Sequence, residues 1–289
     1  MSKKRKIHEK HQVQVTLIEK PNEYVIQTSE HDIALPAIVV FSGSRGSGKT
    51  YACIKLMRHF EKKKYVSRTF LLCPTRGSND LYSNLQTLHP KDCYTDERRF
   101  LQDLEVIEKQ VQSDWYRYKQ EQEYIQVFHK WLKCPHTLTL KEESLLEWRR
   151  KGFPVHIPKP SHLLIVDDAQ GTNLYSNGRS NILNHMVIKH RHIPITIALL
   201  AQSWVGIPRL IRLNTTQFAV YKTGDKSQLQ QIYDTFATTI DFTQFEKMYK
   251  EATQEPHGFL FIDTVPKQEY MRFRSGFNQY LIPGKSEHV

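Results

Sequence analysis

Short apolar runs punctuate the chain at regular intervals. "PAIVVFSG" (36–43), "RTFLLCPT" (68–75), "HLLIVDD" (162–168), "PITIALLAQS" (194–203) and "TQFAVYKT" (216–223) are each built round such a run and closed by Gly, Pro or polar residues. Runs of this kind predict strands buried on both faces, as in a parallel sheet. Near the N-terminus "VQVTLI" (13–18) and "YVIQT" (24–28) alternate instead, and predict two short strands around the turn "EKPNE". Between the apolar runs the period changes to that of a helix. "KTYACIKLMRHFEKKK" (49–64) puts Ala52, Leu56, His59 and Phe60 on one face, and "SNDLYSNLQTLHP" (78–90) reads as a short capped helix. Further helices are expected at 180–190, 225–236 and 241–251, and "HGFLFIDT" (257–264) with "EYMRFRS" (269–275) predicts a hairpin. Strands alternating with helices predict an α/β fold, a mainly parallel central sheet flanked by helices, with a C-terminal β-hairpin.

Residues 96–150 break the alternation. Leu104, Val111, Tyr118, Ile125 and Leu132 recur every seven residues, and Leu101, Ile107, Trp115 and Phe128 widen the stripe. This predicts a long amphipathic helix or helical hairpin packed on the core. A capping box, Thr139 with Glu142, starts a further helix at "TLKEESLLEWRR" (139–150). The segment reads as a helical insertion within a single domain spanning 13–289, preceded by a basic tail, 1–12.

Charge then narrows the partners. The chain has a formal net charge of +11 and a pI near 9.4, and six Lys/Arg fall in the first twenty residues. Such a balance suits a polyanion, most simply nucleic acid, or a solvated surface with a positive bias. "KKRK" (3–6) also has the form of a nuclear localisation signal. No run of 18 apolar residues is present, so no membrane span is expected, and no signal peptide is expected behind the basic start. The four cysteines form no CxxC pair; Cys53 and Cys73 lie in apolar stretches and read as small core residues.

"GSRGSGKT" carries the most specific chemistry. It fits G-x-x-x-x-G-K-[ST] from Gly43 through Ser44, Arg45, Gly46, Ser47, Gly48 and Lys49 to Thr50, after an apolar strand and before a helix, as the phosphate loop requires. Glycines let backbone N–H groups face a polyphosphate, and the new helix adds its positive end. Lys49 is the residue expected on the β- and γ-phosphates and Thr50 the Mg²⁺ ligand. Asp167, closing another apolar strand, stands where the second Mg²⁺ ligand is expected. Asp168 is placed either to orient the attacking water or to cap the turn "AQGTN". Gln202 ends a further strand, at the place of a sensor for the γ-phosphate or water. Arg191 precedes that strand and Arg209 and Arg212 follow it. Each reads either as a finger on a neighbouring subunit's γ-phosphate, Arg191 foremost and Arg212 second, or as a surface or DNA-facing charge.

In this order "FSGSRGSGKT", "LLIVDDAQ", "RHIPITIALLAQS" and "PRLIRLNTTQFAVYKT" resemble the FtsK–HerA-type DNA-packaging ATPases of large DNA viruses, virophages and virus-like transposons. The resemblance covers about 36–75 and 160–235. It implies a RecA-like P-loop ASCE core that hydrolyses Mg·ATP and pumps double-stranded DNA into a preformed capsid. It also implies capsid or portal-vertex partners, a homo-oligomeric ring of five or six subunits, and action at the virion assembly site, in cytoplasm or nucleus. Carried over residue by residue, it puts Lys49 and Thr50 on phosphate and Mg²⁺, Asp167 on Mg²⁺, Gln202 as sensor and Arg191 as the finger in trans. Asp168 departs from the glutamate many members of the wider superfamily carry. The DNA-gripping candidates are "KHRH" (189–192) and the loop 76–80. Other readings of the same motifs are a P-loop helicase, a phage-assembly ATPase, or a nucleotide-dependent switch or scaffold with weak hydrolysis.

Overall fold

The computed structural model describes residues 24–75, 77, 80–150, 152–176 and 181–284. The basic tail, the strand expected at 13–18 and most of the 76–80 loop lie outside these residues. Among the described residues nine strands form one sheet: β1 (Ile38–Ser42), β2 (Arg68–Leu72), β3 (Leu88–Tyr94), β4 (His162–Val166), β5 (Ile195–Ala201), β6 (Gln217–Tyr221), β7 (Phe259–Asp263), β8 (Phe273–Ser275) and β9 (Gln279–Tyr280). Their order is β3-β2-β4-β5-β1-β6-β7-β8-β9. The pairings from β3 to β6 are all parallel, and those from β6 to β9 antiparallel. The fold is thus α/β with a mixed, mainly parallel sheet, and the C-terminal hairpin extends its edge.

Both faces of the sheet are covered, which explains the uninterrupted apolar runs. Along β1, Ile38 and Val40 join one core cluster, and Val39 and Phe41 join the other, as the two-residue strand period requires. The second cluster is roofed by α1 (Lys49–Lys62), through Ala52, Leu56 and Phe60 among others. His59, expected on that face, stands at its rim and bonds to Asp32 at 2.8 Å. Against the first cluster pack α4 (Ile182–Lys189), α5 (Arg209–Asn214), α6 (Lys226–Phe236) and α7 (Phe242–Ala252).

Two expected elements came out differently. "YVIQT" makes a single bridge, Ile26 to Leu35, and no strand. "SNDLYSNLQTLHP" holds only a 3₁₀ turn, Asp80–Asn84, and its end belongs to β3. Pro90, which has no N–H to donate, lies within that strand. It is tolerated because β3 lies at the sheet's edge, where a missing N–H breaks no interior ladder.

The insertion forms one helix, α2 (Phe100–Lys133), followed by α3 (Leu140–Trp148). The expected heptad stripe holds only at its start. Phe100, Leu104, Ile107 and Val111 enter the main core, whereas Leu132 is 60% exposed. A straight helix drifts about 20° per heptad. The buried residues of its far half are therefore Tyr124, Val127 and Phe128, which form a separate small core with Leu146 of α3. The Thr139–Glu142 capping box is present at the start of α3.

Candidate nucleotide site

The 43–50 loop leaves β1 and turns directly into α1. Gly48 has φ +93°, a left-handed conformation that a side chain would strain, and it sits at the N-cap. Gly43 is required for space: a Cβ there would lie 2.6 Å from the Tyr221 Cβ and 2.8 Å from Ser47 Oγ. No side chain caps the first turn of α1, and no acidic residue occupies it. The helix end is thus left positive and open to an anion. Lys49 Nζ donates to the carbonyls of Gly43 at 2.7 Å and Ser44 at 2.9 Å, which holds its ammonium along the loop. Burial pushes the Lys49 pKa down, and the charges of Asp167 and Asp168 work against that shift.

The order of the sheet brings the remaining groups together. β5 lies between β1 and β4, so the parallel ends of three neighbouring strands deliver the phosphate loop, Gln202 and the aspartate pair to one edge. Arg45, Gly46, Lys49, Thr50, Thr75, Asp167, Asp168 and Gln202 line a cleft of about 450 Å³ there. Asp167 is 5% exposed. Its Oδ2 accepts from Thr50 Oγ1 at 3.2 Å and from the hydroxyl of Tyr82, and its Oδ1 accepts from the backbone N–H of Asp168 at 2.9 Å. Burial raises the Asp167 pKa, with the Asp168 charge adding to it, while the Tyr82 and Thr50 hydroxyls and the Asp168 N–H oppose the rise.

Asp168 is exposed and has φ +52°, a region Asp tolerates better than most residues. The turn aims its backbone N–H back at Asp167 and its carboxylate across to the turn after β2, where Oδ2 accepts from Thr75 Oγ1 at 2.7 Å. Gln202 is fixed through its backbone. Its N–H donates to Gln170 Oε1 at 2.7 Å, and Gln170 Nε2 donates to the Ser203 carbonyl at 3.1 Å. Gln170 thereby ties the turn after β4 to the turn after β5. A Cβ on Gly206 would lie 2.3 Å from Gln170 Nε2, so a side chain there would push the Gln170 amide aside. Sequence reading missed Thr75, Tyr82 and Gln170. Only Gln170 carried a signal, its place in "DDAQG".

The arginines fall elsewhere. Arg191 lies before the N-terminal end of β5, and seven strand residues separate that end from Gln202, about 23 Å at 3.3 Å per residue. Arg209 is exposed. The Arg212 guanidinium stacks 5.3 Å over the Trp204 ring, and burial first, then the Arg209 charge, lowers its pKa. Among the described residues the arginine lining the cleft is Arg45. In "KHRH", His190 is buried with Nδ1 2.7 Å from the Val187 carbonyl, a packing role.

The residues present fit Mg²⁺ and a polyphosphate. A hydroxyl and a buried carboxylate converge as hard oxygen donors, and the Asp167 carboxylate has no lysine or arginine within ion-pair distance among the described residues. Ser47 Oγ is buried in the loop without a hydrogen-bond partner.

No protein-family model matches the chain. No curated protein matches it in sequence. Solved structures do match in shape. The genome packaging NTPase B204 from Sulfolobus turreted icosahedral virus 2, in complex with sulfate, aligns over 80% of this chain and 93% of its own at 14% identity and a TM-score of 0.49. B204, the DNA-packaging ATPase from Sulfolobus turreted icosahedral virus, aligns over 79% and 93% at 16% identity and a TM-score of 0.46. EssC (ATPases 2 and 3) from Geobacillus thermodenitrificans aligns over 88% of this chain but 41% of its own, at 12% identity and a TM-score of 0.48. At these identities and scores the likeness says nothing of this chain's chemistry. No described helix is long and apolar enough to cross a membrane.

Proposed function

We propose that this chain is an ATP-hydrolysing motor that moves double-stranded DNA into a preformed capsid, working as a homo-oligomeric ring against capsid or portal-vertex proteins. The observation that carries the ATPase part is the meeting of Lys49, Thr50, Asp167, Asp168 and Gln202 round one cleft from three adjacent strand ends. The loop 43–48 and Lys49 bind the phosphates. Thr50 Oγ1 and Asp167 Oδ2 hold Mg²⁺, which when bound offsets phosphate charge and the repulsion between the two aspartates. Asp168 orients water and takes its proton, and Gln202 faces the same space as the sensor. Arg191, remote from its own chain's cleft, is assigned to the neighbouring subunit's.

The DNA part is supported by the +11 net charge and by the motif order described above. The experiment that tests it is steady-state ATPase against duplex DNA of increasing length. Turnover is expected to rise with length and then level off. Turnover indifferent to DNA would overturn the translocase reading and leave an NTPase. Ring formation is checked by solution mass with a non-hydrolysable ATP analogue and DNA, where a monomer under every condition would count against a ring motor.

Thr75→Val tests how Asp168 is held. It removes the 2.7 Å donor at nearly constant volume. Losing a hydrogen bond to a charged group is worth roughly 1.5 kcal/mol, so turnover is expected to fall about tenfold with nucleotide affinity retained. Unchanged turnover would show that the bond does not position the carboxylate.

A further inference from the structure

We propose that the groove between α1 and the 80–86 segment seats one sugar-phosphate strand of the DNA duplex. The inference rests on the motor reading above and names the surface by which that motor holds its substrate.

The solvent face of α1 is unusually uniform. Ala52, Cys53, Ile54, Leu56, Met57 and Phe60 are buried, and the exposed positions are Tyr51, Lys55, Arg58 and Lys62. The spacing i, i+4, i+7, i+11 makes them one stripe. Among the described residues none of the three cations is in an ion pair. Glu61, the acidic residue of the helix, has its Oε1 occupied by the Thr87 N–H at 2.8 Å and the Thr87 hydroxyl at 2.6 Å. Cations in the last turn of a helix complement its dipole, which accounts for Lys62 but not for Lys55 or Arg58. Beside the stripe runs a groove of about 630 Å³, with Leu81, Asn84 and Gln86 on its far side.

Size and charge choose the occupant. Lys55 to Lys62 spans about 10 Å of helix, the length over which one strand of DNA carries about three phosphates. The groove is too small for a duplex and suits a single backbone lying in it. Tyr51, 65% exposed at the start of the stripe, offers a flat apolar face to sugar.

Both walls of this groove also reach the nucleotide site. Tyr51 and Leu81 line or flank the groove; their chain neighbours Thr50 and Tyr82 both donate to Asp167 Oδ2. A strand that shifts either wall changes the hydrogen bonds on the carboxylate assigned to the metal. DNA seated here is therefore sensed at the phosphate end of the nucleotide.

The test uses the full chain, a fluorescent duplex of arbitrary sequence, and anisotropy titrations from 50 to 200 mM salt. Each phosphate contact contributes about 0.9 to the slope of log K against log salt. Replacing Lys55, Arg58 and Lys62 together by Ala is expected to reduce that slope by about 2 to 3. Alanine suits exposed helix positions, and thermal melting verifies folding. Should the triple variant melt early, the pair Lys55→Gln with Arg58→Gln is expected to reduce the slope by about 2. A matched triple on α2, Lys109, Arg117 and Lys133 to Ala, removes the same net charge and is expected to change the slope by less than 1. Equal changes in both triples, or none in the first, would overturn the proposal. So would a first triple that keeps DNA but loses poly-glutamate, since the groove would then belong to an acidic protein segment. Binding of a fluorescent ATP analogue without DNA separates the two levels. Its absence from the wild type would remove the motor reading itself, whereas its presence with an unaltered DNA slope would remove only the groove.

Discussion

Asp168→Asn is expected to keep nucleotide affinity within about twofold and to lower turnover by about 10²–10⁴-fold, the usual worth of a general base. The substitution isolates charge from conformation. Residue 168 has φ +52°, a region Asn occupies as readily as Asp. The backbone N–H bond to Asp167 is independent of the side chain, and the Asn carbonyl can still accept from Thr75. What is lost is the negative charge and, with it, the ability to take a proton. Nucleotide binding and single-turnover hydrolysis, measured on the same preparation, check it. A variant hydrolysing at the wild-type rate would leave Asp168 as a turn residue, the alternative its sequence context also allowed.

Asp167→Asn is expected to abolish Mg²⁺-dependent hydrolysis and, in the protein without divalent cation, to raise the melting temperature at neutral pH. The second effect follows from burial. Asp167 is taken out of water beside a like charge, so its folded pKa lies above its unfolded value. For a carboxylate shifted in this direction the folded state is favoured while the proton is bound. That contribution is present at low pH and is lost as pH rises through the folded pKa. Asn is neutral throughout. Its Oδ1 can accept from the Asp168 N–H, and its Nδ2 can donate to the rotating hydroxyls of Thr50 and Tyr82. In chains approaching this size each kcal/mol of relieved desolvation is worth about 2–4 °C. The gain should shrink below the ordinary carboxylate range, where the wild-type side chain is protonated too. Calorimetric melts from acid to neutral pH, with and without Mg·ATP analogue, give the answer; the analogue should raise the wild-type melting temperature and not the variant's. A lower melting temperature for Asp167→Asn at neutral pH without cation would contradict the account.

Buried carboxylates of this kind rarely persist for stability. Here the surrounding hydroxyls of Thr50 and Tyr82 only partly compensate the charge. A bound cation would supply the remaining compensation, as the proposed metal-binding role of Asp167 requires.

Much of this was legible in the chain. The runs "AIVVF", "LLIV" and "IALLA" determined buried strands because an apolar stretch without polar interruption suits a strand between two covered faces. The 43–50 pattern determined a strand-loop-helix turn because glycine at 48 permits a conformation other residues resist. Sequence alone misjudged elements whose state depends on neighbours. β3 forms despite Pro90 because an edge is available, "YVIQT" makes only the Ile26–Leu35 bridge among the described residues, and the far half of α2 leaves the core because its heptad drifts. Local pattern therefore fixed which residues were candidates: Lys49, Thr50, Asp167, Asp168 and Gln202. What only the tertiary structure decided is which of them share a cleft. Strand order is a long-range choice, and placing β5 between β1 and β4 brings Gln202 to the aspartates while leaving Arg191 at the opposite edge. The same packing recruited Tyr82 and Thr75, whose roles no spacing rule could signal, because their partner carboxylates lie 85 and 93 residues away along the chain.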